Sequence, residues 1–347
     1  MKKIIALIAF ACASAFAFAQ EAEKPLFDMN EKGFMSTPKV GAYIIGAYKY
    51  SDLEGAHDGT GFGCRLIRAY VDGSIYNDFK YRVQLQFGGG NPHIKDFWVE
   101  WAKYKFFSVK MGQFKRAFTF ENPMNPWDVG VGDYSVLVQK FAGMGDRLGE
   151  ANMGGRDLGA QIQGDLLPIG SDSHALFHYQ LGVWNGQGIN QTDLNAAKDV
   201  IGTFQVQPIA GLWLGAFAWK GNWVKAATLN TPEMVFKRER LSYGVKFDKN
   251  NWTFRSEYAH NIAGEKKETG KSDAFYATAG LPLLKWFKLY LKWDNYRDVA
   301  VHNMYSAAAN FKLHKNLNFQ LEYRRHNNKF MPTPNYNEVW LQTYIRW

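Results

Sequence analysis

Basic side chains alternate with apolar ones in several stretches of this sequence, a spacing that suits electrostatic attraction of anions. Lys80 and Arg82 do so within residues 79–87, and Lys288 and Lys292 do so further along the chain. In an extended strand such residues share one face, and scattered cations hold an anion weakly enough to release it. The candidate anion-contacting residues are Arg68, Lys80, Arg82, Lys110, Arg116, Lys246, Arg255, Lys288, Lys292 and Arg324.

Residue patterns for catalysis or metal binding are sparse. His174 and His178 share a strand face but stand about 13 Å apart at ~3.3 Å per residue, too far to chelate one metal ion. The glycine-rich stretch at residues 130–149 lacks the strand-then-helix setting of a phosphate-binding loop. Because no nucleophile is found beside a base, we predict no enzyme activity, no cofactor and no metal site. An outer-membrane esterase stays open as a formal alternative.

The elements that would position the basic residues are strands with one apolar and one polar face. Within residues 79–87 every odd residue is aromatic or aliphatic and every even one is polar or charged, and residues 317–324 repeat the pattern. About sixteen such segments follow one another at intervals of roughly 20 residues, which suits membrane strands of ~10 residues. They begin near Val40, Phe62, Asn77, His93, Lys105, Arg156, His174, Lys198, Gly211, Glu239, Asn250, Ser272, Leu284, Asn303, Asn316 and Glu338.

The connections between these segments alternate in length. Tight turns are predicted near Asn77, Lys103, Ile209, Asn250, Leu283 and His314. Longer connections are predicted at residues 51–61, 116–155, 185–197, 222–238, 261–271 and 328–335. Short turns at one end and long loops at the other are typical of an outer-membrane barrel. The sequence therefore predicts an all-β fold, a transmembrane antiparallel β-barrel of about sixteen strands.

Composition supports this fold class and excludes others. The 347 residues include 46% hydrophobic and 16% aromatic side chains, with a mean hydropathy of −0.34. That balance is too polar for a helical membrane protein and too apolar for a disordered chain. The excess positive charge is modest and spread along the chain, so nucleic acid is not a predicted partner. No apolar run of about 18 residues follows the N-terminal region, which argues against a transmembrane helix in the mature chain.

The N-terminus is predicted to be a secretory signal. It combines two early lysines, an apolar stretch and a small-x-small cleavage motif that ends at Ala19. Cys64 would be the one cysteine of the mature chain, so no intrachain disulfide is expected. The predicted division is a signal peptide at residues 1–19, a periplasmic segment at residues 20–39 and the barrel at residues 40–347.

A soluble β-sandwich would also give alternating strands, with the apolar faces packed on a core. Here the opposite face carries Lys, Arg, Glu and Gln too often for a dry core, which favours a lipid-facing exterior around a wet lumen. The last strand ends at Trp347 and looks like the C-terminal signal by which the barrel assembly machinery recognises its clients. Tryptophans near strand ends are expected at the membrane interfaces, among them Trp98, Trp219, Trp252, Trp286 and Trp293.

Several short motifs occur in order along most of the predicted mature chain. They include RAYVDG at residues 68–73, NDFKYR at 77–82, VKMGQFK at 109–115, GRDLGAQ at 155–161 and QLGVWNGQG at 180–188. The series resembles the phosphate- and polyphosphate-selective porins of the porin O/P type. This resemblance implies a homotrimer of 16-stranded barrels in the outer membrane of a Gram-negative bacterium. Each barrel would pass small hydrophilic solutes, with a preference for anions such as phosphate.

The connection at residues 116–154 is expected to fold into the barrel and narrow the pore, because apolar members such as Phe118 and Phe120 need a surface to cover. An external cap is the alternative. By strand parity, eleven basic residues and six acids point inward, so the wall is expected to be positive. A general non-selective porin and a plugged adhesin or structural barrel stay open. The charged residues of this mildly acidic loop include Glu121, Asp128, Asp133, Lys140, Asp146 and Arg147.

Overall fold

Sixteen antiparallel strands close into one barrel, in which β1 pairs with β16 and every other strand pairs with its neighbours in the chain. The computed structural model describes residues 35–53, 55, 60–88, 91–146, 148, 154–262 and 272–347. The predicted fold class and strand number are confirmed. The predicted signal peptide and most of the periplasmic segment at residues 20–39 lie outside the described residues.

The strands and one short helix have the following bounds. The strands are β1 Lys39–Ser51, β2 Gly61–Ile75, β3 Phe79–Phe87, β4 His93–Tyr104, β5 Phe107–Lys115, β6 Arg156–Ile169, β7 His174–Trp184, β8 Asp199–Ile209, β9 Leu212–Lys225, β10 Met234–Lys249, β11 Trp252–Asn261, β12 Asp273–Pro282, β13 Phe287–Arg297, β14 Val301–His314, β15 Leu317–Asn328 and β16 Asn335–Arg346. The helix, α1, spans Val136–Phe141 in the long connection between β5 and β6.

The barrel wall is apolar outside and polar inside, the reverse of a soluble domain. In β15 the outward Leu321 and Tyr323 are 49% and 48% exposed, whereas the inward Glu322 and Arg324 are 0% and 5% exposed. An exposed apolar row in a long strand is stable only against lipid, and a closed barrel leaves no strand edge unpaired. The alternation of apolar and polar residues along each strand therefore determines which side chains face lipid and which face the lumen, as the sequence predicts.

The short turns at one end have the backbone geometry of tight hairpins. Tyr76 and Asn77 between β2 and β3 have φ of 50° and 60°, and Asn250 and Asn251 between β10 and β11 have φ of 52° and 66°. Two successive left-handed residues are the type I′ arrangement that matches the twist of paired strands. The long connections leave the barrel at the opposite end, which in outer-membrane barrels faces the outside of the cell.

Two details differ from the sequence-based expectation. β9 and β10 stay paired as far as Lys225 and Met234, so the connection predicted at residues 222–238 covers only residues 226–233. Alternation fades where a ladder extends beyond the membrane, because both faces then meet water. Trp98 and Trp219 point into the lumen, and Trp219 is 1% exposed, so these two rings are not interface residues.

Along the described part of the chain, no helix is long and apolar enough to cross a membrane.

Candidate functional site

The long loop (residues 116–154), as far as the structure describes it, enters the barrel and packs against one side of the lumen. Its Phe118 ring meets the Trp219 ring at 5.5 Å, and its Phe120 ring meets the Phe217 ring at 5.1 Å. The buried cluster continues through α1 to wall residues of β11 to β14, including Tyr276. Burial of these side chains supplies the free energy that holds the loop inward. The side of the lumen formed by β8 to β15 is therefore a packed core.

Polar groups of the wall fix the loop backbone at this side. Both carboxylate oxygens of Glu257 accept hydrogen bonds from the loop, from the Phe120 amide at 2.7 Å and the Glu121 amide at 3.2 Å. Glu322 accepts from the Gly132 amide at 2.6 Å, and Asp294 accepts from the Val136 amide at 3.1 Å. Buried amides need such acceptors, because an unpaired one costs about 1–3 kcal/mol.

One loop glycine is required by a close approach to the wall. Gly130 has φ of +93°, and a Cβ at this position would lie 2.4 Å from the ring of Tyr290. Its carbonyl accepts hydrogen bonds from Asn310 at 2.7 Å and from Gln320 at 3.0 Å. The glycine thus lets the loop backbone lie directly on β13 to β15.

Four of the predicted anion-contacting residues lie in this packed side and are buried. Arg116 is 3.7 Å from Asp157, and Arg255 donates to the Val129 carbonyl at 2.5 Å. Lys292 is 3.3 Å from Asp294, and Arg324 donates to Glu322 at 2.8 Å. These four residues were predicted to line the anion path; in the structure their charged groups bind the loop backbone or neighbouring carboxylates.

Two cavities lie between the loop and the opposite wall. The outer chamber, about 230 Å³, lies toward the long connections, and the middle chamber, about 210 Å³, lies deeper. Both are lined by Arg68 and by Pro126 of the loop. The outer chamber also contacts Arg65, Gln86, Lys95, Asp133 and Tyr134. The middle chamber also contacts Arg82, Gln84, Asp96, Trp98, Lys110, Phe114, Lys115, Pro123, Met124, Arg156, Gln161, Gln163 and Gln180.

Two cations of the middle chamber are held only by neutral groups. Arg68 donates to Gln86 Oε1 at 2.9 Å and to the Tyr43 hydroxyl at 2.8 Å. The Lys110 ammonium lies 3.7 Å from the centre of the Trp98 ring, a cation–π contact. Among the described residues, neither side chain has a carboxylate within ion-pair distance.

The other cations of this chamber are already compensated. Arg82 makes two hydrogen bonds of 2.6 Å to Asp72, and Arg156 makes two of 2.8 and 3.0 Å to Asp96. The Lys115 ammonium is capped by the carbonyls of Asn122 and Met124 and by the Tyr134 hydroxyl.

The remaining predicted cations stand apart from both chambers. Lys80 is exposed beyond the middle chamber, near the tight-turn end of β3. Lys246 lies 5.3 Å from the Phe120 ring centre. Lys288 donates to Thr253 Oγ1 at 2.9 Å and lines a third cavity, below the loop, together with Asp128.

The described acids of the long loop do not line the middle chamber. Asp146 pairs with Arg240, Asp133 with Arg65 at 3.0 Å, and Glu121 accepts from the Ser135 amide at 2.7 Å. The loop surface that borders the middle chamber is uncharged and comprises Ala117, Pro123, Met124, Asn125 and Pro126. The expected acidic gate is thus replaced at this chamber by a neutral face. Lys140 of α1 lies 5.9 Å from the Tyr296 ring centre, and Arg147 lies outside the described residues.

Several charged residues at these sites were missed by sequence reasoning. Arg238 and Arg240 have the same strand parity as Lys246 and are buried on the inner face of β10. Extending that parity from Lys246 by six and eight residues toward the start of the strand would have found them. Arg65 and Lys95 are the extra residues at register shifts in the β1–β2 and β3–β4 ladders, where the alternation is interrupted. Arg156 is the first residue of β6, where alternation gives a weaker signal.

No cluster of three or more metal-ligating side chains occurs within the described ranges.

A sequence profile of Gram-negative porins matches residues 6–330. The chain belongs to the Gram-negative porin family. No curated protein matches its sequence significantly. Family and fold are those of an outer-membrane channel.

Solved structures share the fold of this porin at low sequence identity. The anion-selective porin from Comamonas acidovorans aligns with a TM-score of 0.67 and 12% identity, over 90% of this chain and 100% of that one. The outer membrane protein OmpT of Vibrio cholerae, in its trimer form, gives 0.61 and 13%, over 90% and 99%. The outer membrane channel DcaP of Acinetobacter baumannii gives 0.61 and 10%, over 93% and 100%. At these identities the likeness establishes the porin architecture alone.

Proposed function

We propose that this porin is a passive diffusion channel for small hydrophilic solutes, with a modest preference for anions, among them phosphate. The observation that carries the proposal is the charge around the middle chamber. Within the described part of the chain, Arg68 and Lys110 have no carboxylate within ion-pair distance. Asp72 and Asp96 are paired with arginines, and Glu100, the cross-strand neighbour of Lys110, accepts from Ser108 and Gln163, so five cations line the chamber against these three carboxylates. The passage therefore has a net positive field.

The expected preference is small. An isolated charge pair in water is worth about 1 kcal/mol at contact, so two uncompensated cations favour anions by a few-fold. Salt screens this effect over a Debye length of about 10 Å at 0.1 M. A general porin without ion preference is the second candidate, favoured by the number of ion pairs that already neutralise the wall, such as Arg82 with Asp72.

The long loop is proposed to set the size of the passage, since it forms one wall of both chambers. A homotrimer is proposed from the porin fold, and the trimeric form of the Vibrio OmpT supports it. Recognition of the last strand, with Trp347, by the assembly machinery is part of the same proposal. So is contact of the apolar outer face with outer-membrane lipid.

Reversal potentials in a potassium chloride gradient test the ion preference. The purified porin in a planar bilayer is expected to pass chloride a few-fold better than potassium at 0.1 M salt, and less selectively at 1 M. In the double variant Arg68→Gln with Lys110→Gln, the chloride-to-potassium permeability ratio is expected to approach the ratio of the two ions' mobilities in free solution.

The matched control removes a compensated pair. Arg82→Gln with Asp72→Asn deletes one positive and one negative charge beside the same chamber, so the chloride preference is expected to stay. A cation-selective wild-type channel would refute the proposal. So would an unchanged ratio in the Arg68 and Lys110 double variant.

A further inference from the structure

The middle chamber has two chemically unlike faces. Pro123 and Met124 of the loop, with the rings of Trp98 and Phe114 from the wall, give it an apolar side. The opposite side carries three glutamines of β6 and β7 whose amides bond to one another. Gln161 donates to Gln163 Oε1 at 2.7 Å, and Gln180 donates to the same oxygen at 3.1 Å. A solute in this chamber of about 210 Å³ therefore touches an apolar surface and a neutral polar surface together.

The charge available to a solute is suited to a monoanion. Five cations line the chamber, but Arg82, Arg156 and Lys115 are occupied by carboxylates, carbonyls and a hydroxyl. Arg68 and Lys110 are left with neutral partners. A phosphate dianion is held well by several converging donors, and the chamber does not supply such a set.

Lys110 presents its charge at the border between the two faces. Its ammonium lies 3.7 Å from the Trp98 ring centre and 4.9 Å from the Phe114 ring centre. A group that binds Lys110 therefore has apolar surface directly beside it. Inorganic anions gain nothing from that surface, whereas an apolar body attached to a carboxylate is partly removed from water there.

We propose that the middle chamber favours small organic monocarboxylates with a compact apolar body, such as a single ring, over inorganic phosphate. The carboxylate contacts Lys110, Arg68 adds a second positive charge to the same chamber, and the body lies along Met124, Pro123 and Trp98. The Gln161 and Gln180 amides donate to the second carboxylate oxygen, while the Gln163 amide is held by Glu100 at 2.7 Å. This inference rests on the proposed anion preference and narrows it to a solute class.

Bi-ionic reversal potentials with the whole porin in planar bilayers test the inference, with benzoate, acetate and phosphate each compared against chloride. The benzoate-to-acetate permeability ratio is expected to exceed the ratio of their free-solution mobilities several-fold. Benzoate is also expected to permeate better than phosphate. As a second readout on the wild-type channel, millimolar benzoate is expected to reduce the single-channel chloride current more than acetate does.

Met124→Gln keeps the length of the side chain and makes the loop face polar, so it is expected to lower the benzoate-to-acetate ratio toward the mobility ratio. Met331→Gln is the matched control. Met331 is exposed in the connection between β15 and β16, away from both chambers, and its change is expected to have no effect.

Three results would overturn the inference: a wild-type benzoate-to-acetate ratio equal to the mobility ratio, phosphate permeating better than benzoate, or no response to Met124→Gln. The chloride-to-potassium permeability ratio, measured in the same membranes, separates the two proposals. If that ratio favours chloride while benzoate gains nothing, only the solute class fails. If it favours potassium, the proposed function fails, and the inference fails with it.

Discussion

Arg240 of β10 and Asp146 of the long loop form a two-point ion pair inside the barrel. Nη1 lies 2.6 Å from Oδ2 and Nη2 lies 2.9 Å from Oδ1, and both side chains are fully buried. The same guanidinium donates to the Phe141 carbonyl at the end of α1 at 2.7 Å. This pair fastens the far half of the loop to the wall, opposite the two chambers.

Loss of this pair is expected to loosen the loop. Arg240→Gln leaves the Asp146 carboxylate buried without its partner, which costs about 3–5 kcal/mol. In SDS gels the folded porin is expected to unfold, and so to change its migration, at a lower temperature than wild type. Single-channel currents are expected to become larger and noisier.

The control for this change is Arg297→Gln. Arg297 pairs with Asp273 at 2.8 Å but is 57% exposed, so its loss is expected to cost only about 0–1 kcal/mol. Equal shifts of the unfolding temperature in the two variants would contradict an anchoring role for Arg240.

Acid is expected to weaken the same anchor. Burial opposes ionisation of Asp146, but the charge and hydrogen bonds of Arg240 outweigh it and hold the pKa of that carboxyl well below its ordinary value. A lowered pKa in the folded state gives stability that is complete above the unfolded value, about 3.9, and is lost as the pH falls through the folded value. The temperature at which the folded porin unfolds in SDS is therefore expected to be constant near neutral pH and to fall below about pH 4.

The contribution of Asp146 is separated by Asp146→Asn, because other carboxylates titrate in the same range. The variant is expected to be less stable than wild type at neutral pH and to show a smaller further loss in acid. A full acid-dependent loss in the variant would assign the effect to other groups.

Removal of the loop centre is expected to widen the passage. If residues 124–144 are replaced by a short Gly-Ser linker, both chambers lose the wall that contains Pro126. Single-channel conductance is then expected to rise several-fold. Shortening the connection at residues 226–233, at the same end of the barrel, is the control and is expected to leave conductance unchanged. If the loop-centre variant conducts like wild type, the loop does not border the path.

Removal of charges on the packed side of the lumen is expected to leave the ion preference of the channel unchanged. Lys292 and Asp294 are a buried pair at 3.3 Å, and Asp294 Oδ1 also accepts the Val136 amide. The double variant Lys292→Met with Asp294→Asn keeps this acceptor and removes both charges, which is often neutral or stabilising. Its reversal potential is expected to equal that of wild type. A shifted reversal potential would mean that ions reach this side of the lumen.

Strand positions and the direction of most strand side chains were predictable from the sequence. The alternation in residues 79–87 places Arg82 inside, and the same rule places Arg324 inside 242 residues later. This works because the pleat is a local property: successive side chains of a strand point to opposite faces whatever the rest of the chain does. The tight turns follow from local sequence in the same way, as at Asn250.

Which inward charges meet solute was decided only by the tertiary structure. Arg82 and Lys110 border an open chamber, whereas Arg324, with the same parity, is buried among Glu322, Trp340 and the loop side of the lumen. Parity carries no information about this difference, because it depends on where the long loop docks after the barrel has closed. That docking is set by the apolar cluster around Phe118 and by the Arg240–Asp146 pair, whose members lie 94 residues apart in sequence.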